Sequence, residues 1–245
     1  QYIPPLRVML KSLSISNAGE TVEIYLMHDA IPDGQLTSLG YYCMNLGFSL
    51  YVVRVDAGQF ADAPVFRHYS IAMYFRLLAC WILPESMERV LYIDPDTMVI
   101  NPIRPLYEMD MGESLYAAAV HTGLASGVTE NINRLRLGIS SQYFNSGVLL
   151  MNLSQQRKVM RPKEIFAFAS EHKNELVLPD QDILNGLYGG QIMPIDDVLF
   201  NYDARNHNAY MLMSGGKYDT DFVMRNTVIL HFCGSTKPWT TQYRF

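Results

Sequence analysis

The sequence predicts an α/β fold with a mostly parallel, mixed central sheet flanked by helices. The chain is 245 residues long with 49% hydrophobic residues, which suits one large α/β domain spanning residues 1–245. Short apolar runs alternate with amphipathic segments of helical period, as in βαβ units. One apolar run, residues 90–93, stops at two acids, Asp94 and Asp96, which marks a strand end with polar chemistry beside it.

The first half of the chain alternates between helices and strands. Apolar residues recur at helical spacing over residues 6–13 behind two prolines, which predicts a helix opened by proline. A strand, a helix and a second strand are then predicted at residues 22–27, 32–47 and 50–55. A further helix is predicted at residues 70–83, and the apolar run that ends at Asp94 is the next strand.

The second half continues the alternation. Strands are predicted at residues 115–120, 147–153 and 191–195. Residues 121–141 are polar and contain glycine, which predicts a loop with a short helix. Helices are predicted after the second of these strands, through about Glu171, and near residues 181–188. No internal repeat, low-complexity tract or linker divides the sequence.

Composition argues against several classes of function. The net charge is −5, so the chain has no global basic surface for nucleic acid. Its three cysteines, Cys43, Cys80 and Cys233, are far apart, which indicates reduced thiols rather than disulfides or a cysteine zinc site. No apolar run approaches the roughly 18 residues that span a bilayer, and no signal peptide is visible. We therefore expect a cytoplasmic protein.

The paired acids Asp94 and Asp96 are the first candidate site. They follow the apolar run directly and are separated by one proline. Carboxylates at a strand end suit a hard divalent cation, and open α/β sheets bind ligands beyond the carboxyl ends of their strands. Asp and Pro are also ordinary turn residues, so this pair alone leaves a plain turn as the alternative.

Two further segments carry candidate residues, each with an ordinary structural alternative. Asn145, Ser146 and Gly147 form a small polar turn before an apolar strand, where a ligand can come close to the backbone. The alternative is a turn that merely leads into a core strand. Asp180 and Gln181 stand at the start of a helix, where acids also cap helices and complement the helix dipole.

The segment near the C-terminus adds a histidine, a glycine and a lysine. His231 ends a predicted strand and is followed by Gly234 and Lys237. A histidine nitrogen can complete a metal ligand set, a glycine turn can offer N–H groups to phosphate, and a lysine can neutralise phosphate. Together with Asp94 and Asp96, His231 makes an oxygen and nitrogen set suited to Mn²⁺ and tolerable for Mg²⁺. A lone histidine, however, is more often a structural residue.

Taken together, these segments resemble glycosyltransferase family 8. They are the acidic turn at 94–96, the polar turn at 145–147, the helix start at 180–182 and the C-terminal block at 231–239, in this order and at these spacings. The family comprises retaining sugar transferases of the GT-A fold, including bacterial lipopolysaccharide galactosyl- and glucosyltransferases. The resemblance covers essentially the whole chain and implies a retaining hexosyltransferase that uses a UDP-sugar.

The resemblance implies how the metal and the diphosphate of the donor are bound. Asp94 and Asp96 match the family's DxD motif, which binds Mn²⁺ and through it the diphosphate. His231 matches the third protein ligand of the metal. Gly234 and Lys237 match the diphosphate-binding loop.

Other residues match the positions at the sugar and the base. Arg76 matches the arginine near the donor sugar, and Tyr2 matches the tyrosine that stacks on uracil. Asn145 and Asp180 match groups that hold sugar hydroxyls, while Gln181 matches the residue near the anomeric carbon. Asp180 and Gln181 are therefore implied as catalytic. The implied donor-binding residues are Tyr2, Arg76, Asp94, Asn145, Ser146, Gly234 and Lys237.

The resemblance also sets expectations for the remainder of the protein. The family begins with a short apolar strand before the tyrosine, so we expect the first nucleotide-binding strand to be missing before residue 1. The donor is UDP-glucose or UDP-galactose, and the acceptor is a glycan, a lipid-linked molecule or a protein. A missing C-terminal tail is expected to allow peripheral association with the inner face of the membrane. Residues 121–141 and 203–226 are candidate covers of the active site.

Two alternatives remain open from the sequence alone. In a phosphatase of the haloacid dehalogenase type, Asp94, Asp96 and Thr97 would form the strand-end DxDxT, with Asp196 and Asp197 as its later acidic pair. Such motifs normally lie on the first strand, whereas about ninety residues precede this one. The second alternative is a nucleotide-sugar-binding protein without catalysis. It is disfavoured because Asp94, Asp96, His231 and Lys237 are all present.

Overall fold

The computed structural model describes residues 2–60, 63–64, 71–120 and 124–240. The strands in these residues are β1 Glu23–His28, β2 Ser49–Arg54, β3 Arg89–Ile93, β4 Thr97–Val99, β5 Tyr116–Ala119, β6 Val148–Asn152, β7 Ile192–Ile195, β8 Tyr202–Asp203 and β9 Ile229–His231. They form a two-stranded sheet, β1-β2, a four-stranded sheet, β3-β6-β5-β7, and a three-stranded sheet, β4-β9-β8.

Helices separate most of the strands and confirm the predicted α/β class. They are α1 Ile3–Ser16, α2 Asp33–Asn45, α3 Met73–Leu77, α4 Ala79–Ile82, α5 Arg104–Tyr107, α6 Leu124–Leu137, α7 Leu153–Val159, α8 Pro162–Glu171, α9 Pro179–Tyr188, α10 Asp197–Phe200, α11 His207–Met213 and α12 Thr220–Asn226. The first of them has proline in its first turn, as the sequence predicts. Within the described ranges, no helix has the length and apolar character needed to cross a bilayer.

The four-stranded sheet is covered on both faces, as predicted. Successive side chains of a strand point to opposite faces, and β5 is buried along its whole length. Tyr116 and Leu149 pack in one apolar cluster, together with residues of α3, α8 and α9. Ala117 and Leu150 pack in a second cluster, together with residues of α1, α2 and α5. Because both faces are buried, the strands read as continuous apolar runs in the sequence.

Parallel pairing is less dominant than predicted. Of the six strand pairings described, three are parallel (β1 with β2, β5 with β7, β8 with β9) and three are antiparallel (β3 with β6, β5 with β6, β4 with β9). The central strand β6 runs against both of its neighbours. β5 ends and β6 begins at the same end of the sheet, because the two strands are antiparallel neighbours. The segment between them, which contains α6, therefore does not cross the sheet from one end to the other.

The prediction of a loop with a short helix at residues 121–141 is wrong for residues 124–141, because α6 is 14 residues long. Residues 121–123 lie outside the described residues. The composition of α6 is polar, but its last turn is held by a tertiary contact that the sequence does not reveal. Arg136 of α6 donates to both carboxylate oxygens of the fully buried Asp182 of α9, at 2.7 and 3.1 Å. Tertiary contacts of this kind override weak local propensity.

Two predicted helices are each divided into two. The helix predicted at residues 70–83 breaks at Leu78, between α3 and α4, and its first predicted residue, Ser70, lies outside the described residues. The helix predicted through Glu171 is α7 followed by α8. Arg161 is extended because it precedes Pro162, and a residue before proline is disfavoured in the helical conformation.

Candidate active site

The paired acids lie where the chain passes from one sheet into another. Residues 94–96 connect β3 of the four-stranded sheet to β4 of the three-stranded sheet. The turn is closed by the hydroxyl of Thr97, which donates to the carbonyl of Asp94 at 2.8 Å. Strand pairing places His231 directly opposite Thr97. The backbone N–H of Asp94 donates to the carbonyl of Gly147 at 2.8 Å, so three distant segments meet at this turn.

Asp94, Asp96 and His231 can hold a metal ion. One ligand atom from each side chain lies within 4.8 Å of the other two. His231 Nε2 is 3.6 Å from Asp96 Oδ1. Gly147 leaves the ligands room, because a Cβ there would stand 2.3 Å from His231 Cε1 and 2.9 Å from Asp94 Oδ2. Two carboxylates and one imidazole suit Mn²⁺ and tolerate Mg²⁺, so the residues present fit the predicted ion.

Neighbouring groups favour the charged forms of Asp96 and His231. Burial alone would raise the pKa of Asp96, but His231 and Lys237, whose ammonium donates to the carboxylate, hold that pKa well below its usual value. Burial lowers the pKa of His231, whereas Cys233, Asp96 and Asp94 outweigh burial and raise this pKa to about 10. A metal ion at His231 therefore has to displace the proton, because imidazole binds metals in its neutral form.

Arg76 connects the acidic turn to the start of α9. Its guanidinium lies 3.1 Å from Asp94 Oδ1 and 3.1 Å from Asp180 Oδ2, and it donates to the carbonyl of Ser146 at 3.1 Å. It also lies over the ring of Tyr92, whose hydroxyl donates to Asp94 Oδ1 at 2.5 Å. Burial raises the pKa of Asp94, and the charge of Arg76 offsets only part of this effect. Arg76 thus fixes Asp94 and Asp180 relative to each other.

The polar turn at residues 145–147 contacts the first turn of α9. Asn145 Nδ2 and the backbone N–H of Ser146 both donate to Gln181 Oε1, each at 3.2 Å. The Ser146 hydroxyl donates to Asp180 Oδ2 at 3.0 Å. A backbone N–H can only donate, so the Gln181 oxygen faces the turn. The Gln181 side chain also hydrogen-bonds Tyr143. The structure therefore brings the predicted sugar-binding residues together with the predicted metal ligands.

The C-terminal block places Lys237 beside the metal ligands. Lys237 Nζ donates to Asp96 and, at 2.8 Å, to the carbonyl of Phe232. Gly234 lies in the same block and has a φ of +84°, which strongly favours glycine. A Cβ at Gly234 would also stand 2.5 Å from Arg205 Nη1, whose guanidinium is paired with Asp203. The lysine predicted from sequence therefore contacts the acidic turn, whereas Gly234 lies beside Arg205.

Tyr2 is a second predicted site residue that the described structure does not join to this network. It stands at the N-terminal end of α1, and its side chain is 57% exposed.

The two candidate covers of the active site differ from each other in structure. Residues 121–141 contain α6, whereas residues 203–226 contain α11 and α12.

Sequence reasoning misses two residues of the site, Tyr92 and Asn201. Tyr92 lies two residues before Asp94, so both side chains point to the same face of the strand, and this spacing is a signal that could have found it. Asn201 is fully buried beside β8 and contacts both His231 Nδ1, at 2.8 Å, and Asn145 Oδ1, at 2.9 Å. Its only signal in the sequence is a polar residue between two aromatic ones.

The sequence as a whole matches a known family. A sequence profile described as Glycosyl transferase family 8 matches residues 1–242. The chain belongs to glycosyltransferase family 8. Membership confirms the resemblance drawn from the motifs and argues against the phosphatase alternative.

Solved structures and curated relatives agree with membership of family 8. The galactosyltransferase LgtC in complex with donor and acceptor sugar analogs matches this chain with a TM-score of 0.80 and 26% identity, over 98% of this chain and 87% of LgtC. The lipopolysaccharide 1,2-glucosyltransferase of Escherichia coli K12 is 24% identical over 97% of this chain and 70% of its own length. General stress protein A of Bacillus subtilis is 26% identical over 90% of this chain and 77% of its own length. The predicted GT-A fold is confirmed.

Proposed function

We propose that this family 8 protein is a retaining hexosyltransferase that moves glucose or galactose from a UDP-sugar to an acceptor hydroxyl with Mn²⁺. The observation that carries the proposal is the convergence of Asp94, Asp96 and His231 within 4.8 Å, with Lys237 bonded to one of the acids. The donor set of two oxygens and one nitrogen also makes Mg²⁺ a second candidate ion.

Curated relatives support a hexose donor and a cell-envelope acceptor. They include a lipopolysaccharide 1,2-glucosyltransferase of Escherichia coli K12 and a lipopolysaccharide 1,3-galactosyltransferase of Salmonella typhimurium LT2. We assign UDP-glucose or UDP-galactose as the donor, and a glycan, a lipid-linked molecule or a protein as the acceptor. The proposed location is the cytoplasm, at the inner face of the membrane. Tyr2 is assigned to uracil, although its ring is 57% exposed in this structure.

The chemistry requires the site to stabilise a departing diphosphate. A bound divalent ion supplies Lewis-acid stabilisation of the negative charge that develops on the phosphate oxygens. Asp94, Asp96 and His231 would hold this ion. Lys237 adds a positive charge at the same place. Because Lys237 contacts Asp96 in this structure, we expect its ammonium to turn toward the diphosphate when the donor binds.

Retention is supported by the groups beside the sugar-binding turn. A double displacement needs a carboxylate nucleophile, whereas Gln181 is an amide and a poor one. The carboxylate of Asp180 is already engaged by Arg76 and by the Ser146 hydroxyl. We therefore propose a same-face substitution in which the departing UDP helps deprotonate the acceptor and Gln181 stabilises the sugar. A solved LgtC structure carries a glutamine-to-glutamate substitution described as an active-site mutation, which supports such a role for glutamine.

The metal is tested by UDP release from UDP-glucose and UDP-galactose. Turnover should vanish in chelator and return with Mn²⁺ in the wild type. The Asp96→Ala variant should stay inactive with Mn²⁺, while the exposed control Glu108→Ala should behave as the wild type. Full activity of Asp96→Ala in chelator would contradict the metal assignment. Phosphomonoester hydrolysis would revive the phosphatase alternative, and donor binding without turnover would indicate a non-catalytic binding protein.

The stereochemistry is tested by proton NMR of the first-formed glycoside. The product should keep the α configuration of the donor. A β-linked product from an α-linked donor would refute retention. A trapped covalent adduct on Gln181 or Asp180 would instead restore the double displacement.

A further inference from the structure

Asn201 joins the candidate metal ligands to Gln181 through an unbroken chain of side-chain hydrogen bonds. Asn201 Oδ1 lies 2.8 Å from His231 Nδ1, and Asn201 Nδ2 donates to Asn145 Oδ1 at 2.9 Å. Asn145 Nδ2 in turn donates to Gln181 Oε1 at 3.2 Å. Asn201 has no exposed surface, so water does not substitute for these partners.

Backbone groups fix the direction of every bond in this chain. The backbone N–H of Gly147 donates to one side-chain atom of Asn145 at 2.9 Å, and this atom must be its oxygen because a backbone N–H cannot accept. The atom of Asn201 that contacts this oxygen must then be its nitrogen, so the Asn201 oxygen faces His231. The Nδ1 of His231 therefore carries a hydrogen. Its Nε2 lies 3.6 Å from Asp96 Oδ1, so this nitrogen faces the other candidate metal ligands.

The far end of the chain is fixed in the same way. The backbone N–H of Ser146 donates to Gln181 Oε1 at 3.2 Å, which identifies this atom as the oxygen. Asn145 donates to the same oxygen. The Gln181 amide nitrogen is thus directed away from the turn, and the Gln181 side chain also hydrogen-bonds Tyr143. The imidazole of His231 and the amide of Gln181 are thus connected through Asn201 and Asn145.

We propose that Asn201 is a positioning residue that sets the tautomer of His231 and, through Asn145, the orientation of Gln181. The inference for Gln181 rests on the proposed transferase function, whereas the inference for His231 rests on metal binding alone. The position needs a side chain that accepts at one end and donates at the other. Asparagine does both, aspartate can only accept, and alanine does neither. A partner that orients a metal-binding histidine commonly changes metal affinity or activity about 10- to 100-fold when removed.

Two substitutions separate the two roles. Asn201→Asp keeps the acceptor for His231 but loses the donor for Asn145, whereas Asn201→Ala loses both. Asn17→Asp is the matched control, because Asn17 is a buried asparagine on another part of the chain. Asn17 accepts from the backbone of Ile103 at 2.8 Å and donates to the carbonyl of Leu13 at 3.1 Å, so its substitution makes the same chemical change away from the site.

The experiment measures Mn²⁺ affinity by electron paramagnetic resonance without nucleotide, and kcat for UDP-hexose hydrolysis at saturating Mn²⁺ and donor. We expect Asn201→Asp to keep its Mn²⁺ affinity while kcat falls about 10- to 100-fold. We expect Asn201→Ala to lose Mn²⁺ affinity about 10- to 100-fold and to lose kcat as well. The control Asn17→Asp should change neither quantity. If the alanine variant does not fold, Asn201→Leu removes the same two hydrogen bonds without leaving a cavity and takes its place. The aspartate variant still tests the role toward Gln181.

Specific outcomes would overturn the inference. Unchanged Mn²⁺ affinity in Asn201→Ala would remove the role toward His231. Unchanged kcat in Asn201→Asp would remove the role toward Gln181. Equal losses in both variants and in the Asn17→Asp control would show a structural role only. A wild type that binds Mn²⁺ without turning over a UDP-hexose would contradict the proposed function, and the Mn²⁺ affinity of Asn201→Ala would still decide the role toward His231.

Discussion

Gly147→Ala should destroy the metal site by adding a single methyl group. The added Cβ would stand 2.3 Å from His231 Cε1, 2.9 Å from Asp94 Oδ2 and 3.1 Å from Asn145 Oδ1. Gly147 is thus in contact with two of the three candidate metal ligands and with the residue that connects them to Gln181. The substitution therefore tests whether these side chains work as one unit.

The size of the effect follows from these distances. Ordinary van der Waals contact begins near 3.4 Å, so the His231 ring has to move by about 1.1 Å. His231 is 4% exposed and its Nδ1 is bonded to Asn201 at 2.8 Å, which leaves the ring little freedom to move. Metal-ligand distances tolerate only about 0.2 Å. We expect Mn²⁺ affinity to fall by more than about 100-fold, and overpacking to cost about 1–3 kcal/mol of folding free energy.

The assay combines Mn²⁺ binding with urea unfolding. The matched control is Gly40→Ala in α2, where an added Cβ meets nothing within 4 Å. That control should gain about 0.5–1 kcal/mol of stability, because alanine is the better helix former, and it should bind Mn²⁺ as the wild type does. Gly147→Ala with wild-type Mn²⁺ affinity would refute the placement of the metal ligands. Unchanged stability would refute the tight packing around Gly147.

Three further predictions test other parts of the structure. Lys237→Met should lower kcat for UDP-sugar turnover at least tenfold, because a positive charge beside the diphosphate is lost. The same variant should bind Mn²⁺ more tightly without nucleotide, because Lys237 no longer competes with the ion for Asp96. Weaker Mn²⁺ binding would contradict this competition. Asp182→Ala should lower the free energy of unfolding in urea by about 3–5 kcal/mol, since it leaves Arg136 without its buried partner; a change below 1 kcal/mol, roughly that of an exposed pair, would contradict it. Tyr2→Ala should weaken UDP binding in calorimetry by about 1–3 kcal/mol and leave Mn²⁺ affinity unchanged, and unaltered UDP binding would exclude Tyr2 from the base site.

The sequence by itself determined the fold class, the family and most of the site. Apolar runs of strand length, separated by amphipathic helices, are enough to indicate a covered sheet, and the covered faces are confirmed. Asp94, Asp96 and His231 lie together as their motif implies, and Lys237 and Gln181 lie in the same network. Such residues can be found because their chemistry requires particular side chains at particular strand ends and turns.

Only the tertiary structure decided the direction of strand β6 and the length of α6. The direction of β6 depends on the end of the sheet at which the chain re-enters it after α6. The spacing of apolar residues within a strand carries no information about that end. The α6 helix is polar in composition, and its attachment depends on Arg136 reaching Asp182, 46 residues further along the chain. Neither feature is encoded within a short window of sequence.

Only the tertiary structure also revealed Asn201. Its partners, His231 and Asn145, are 30 and 56 residues away in the chain. An isolated asparagine between aromatic residues has no pattern that distinguishes it from an ordinary turn residue. Its function depends on both ends of one amide being bonded to distant groups, and this is settled by the packing of strands rather than by their composition.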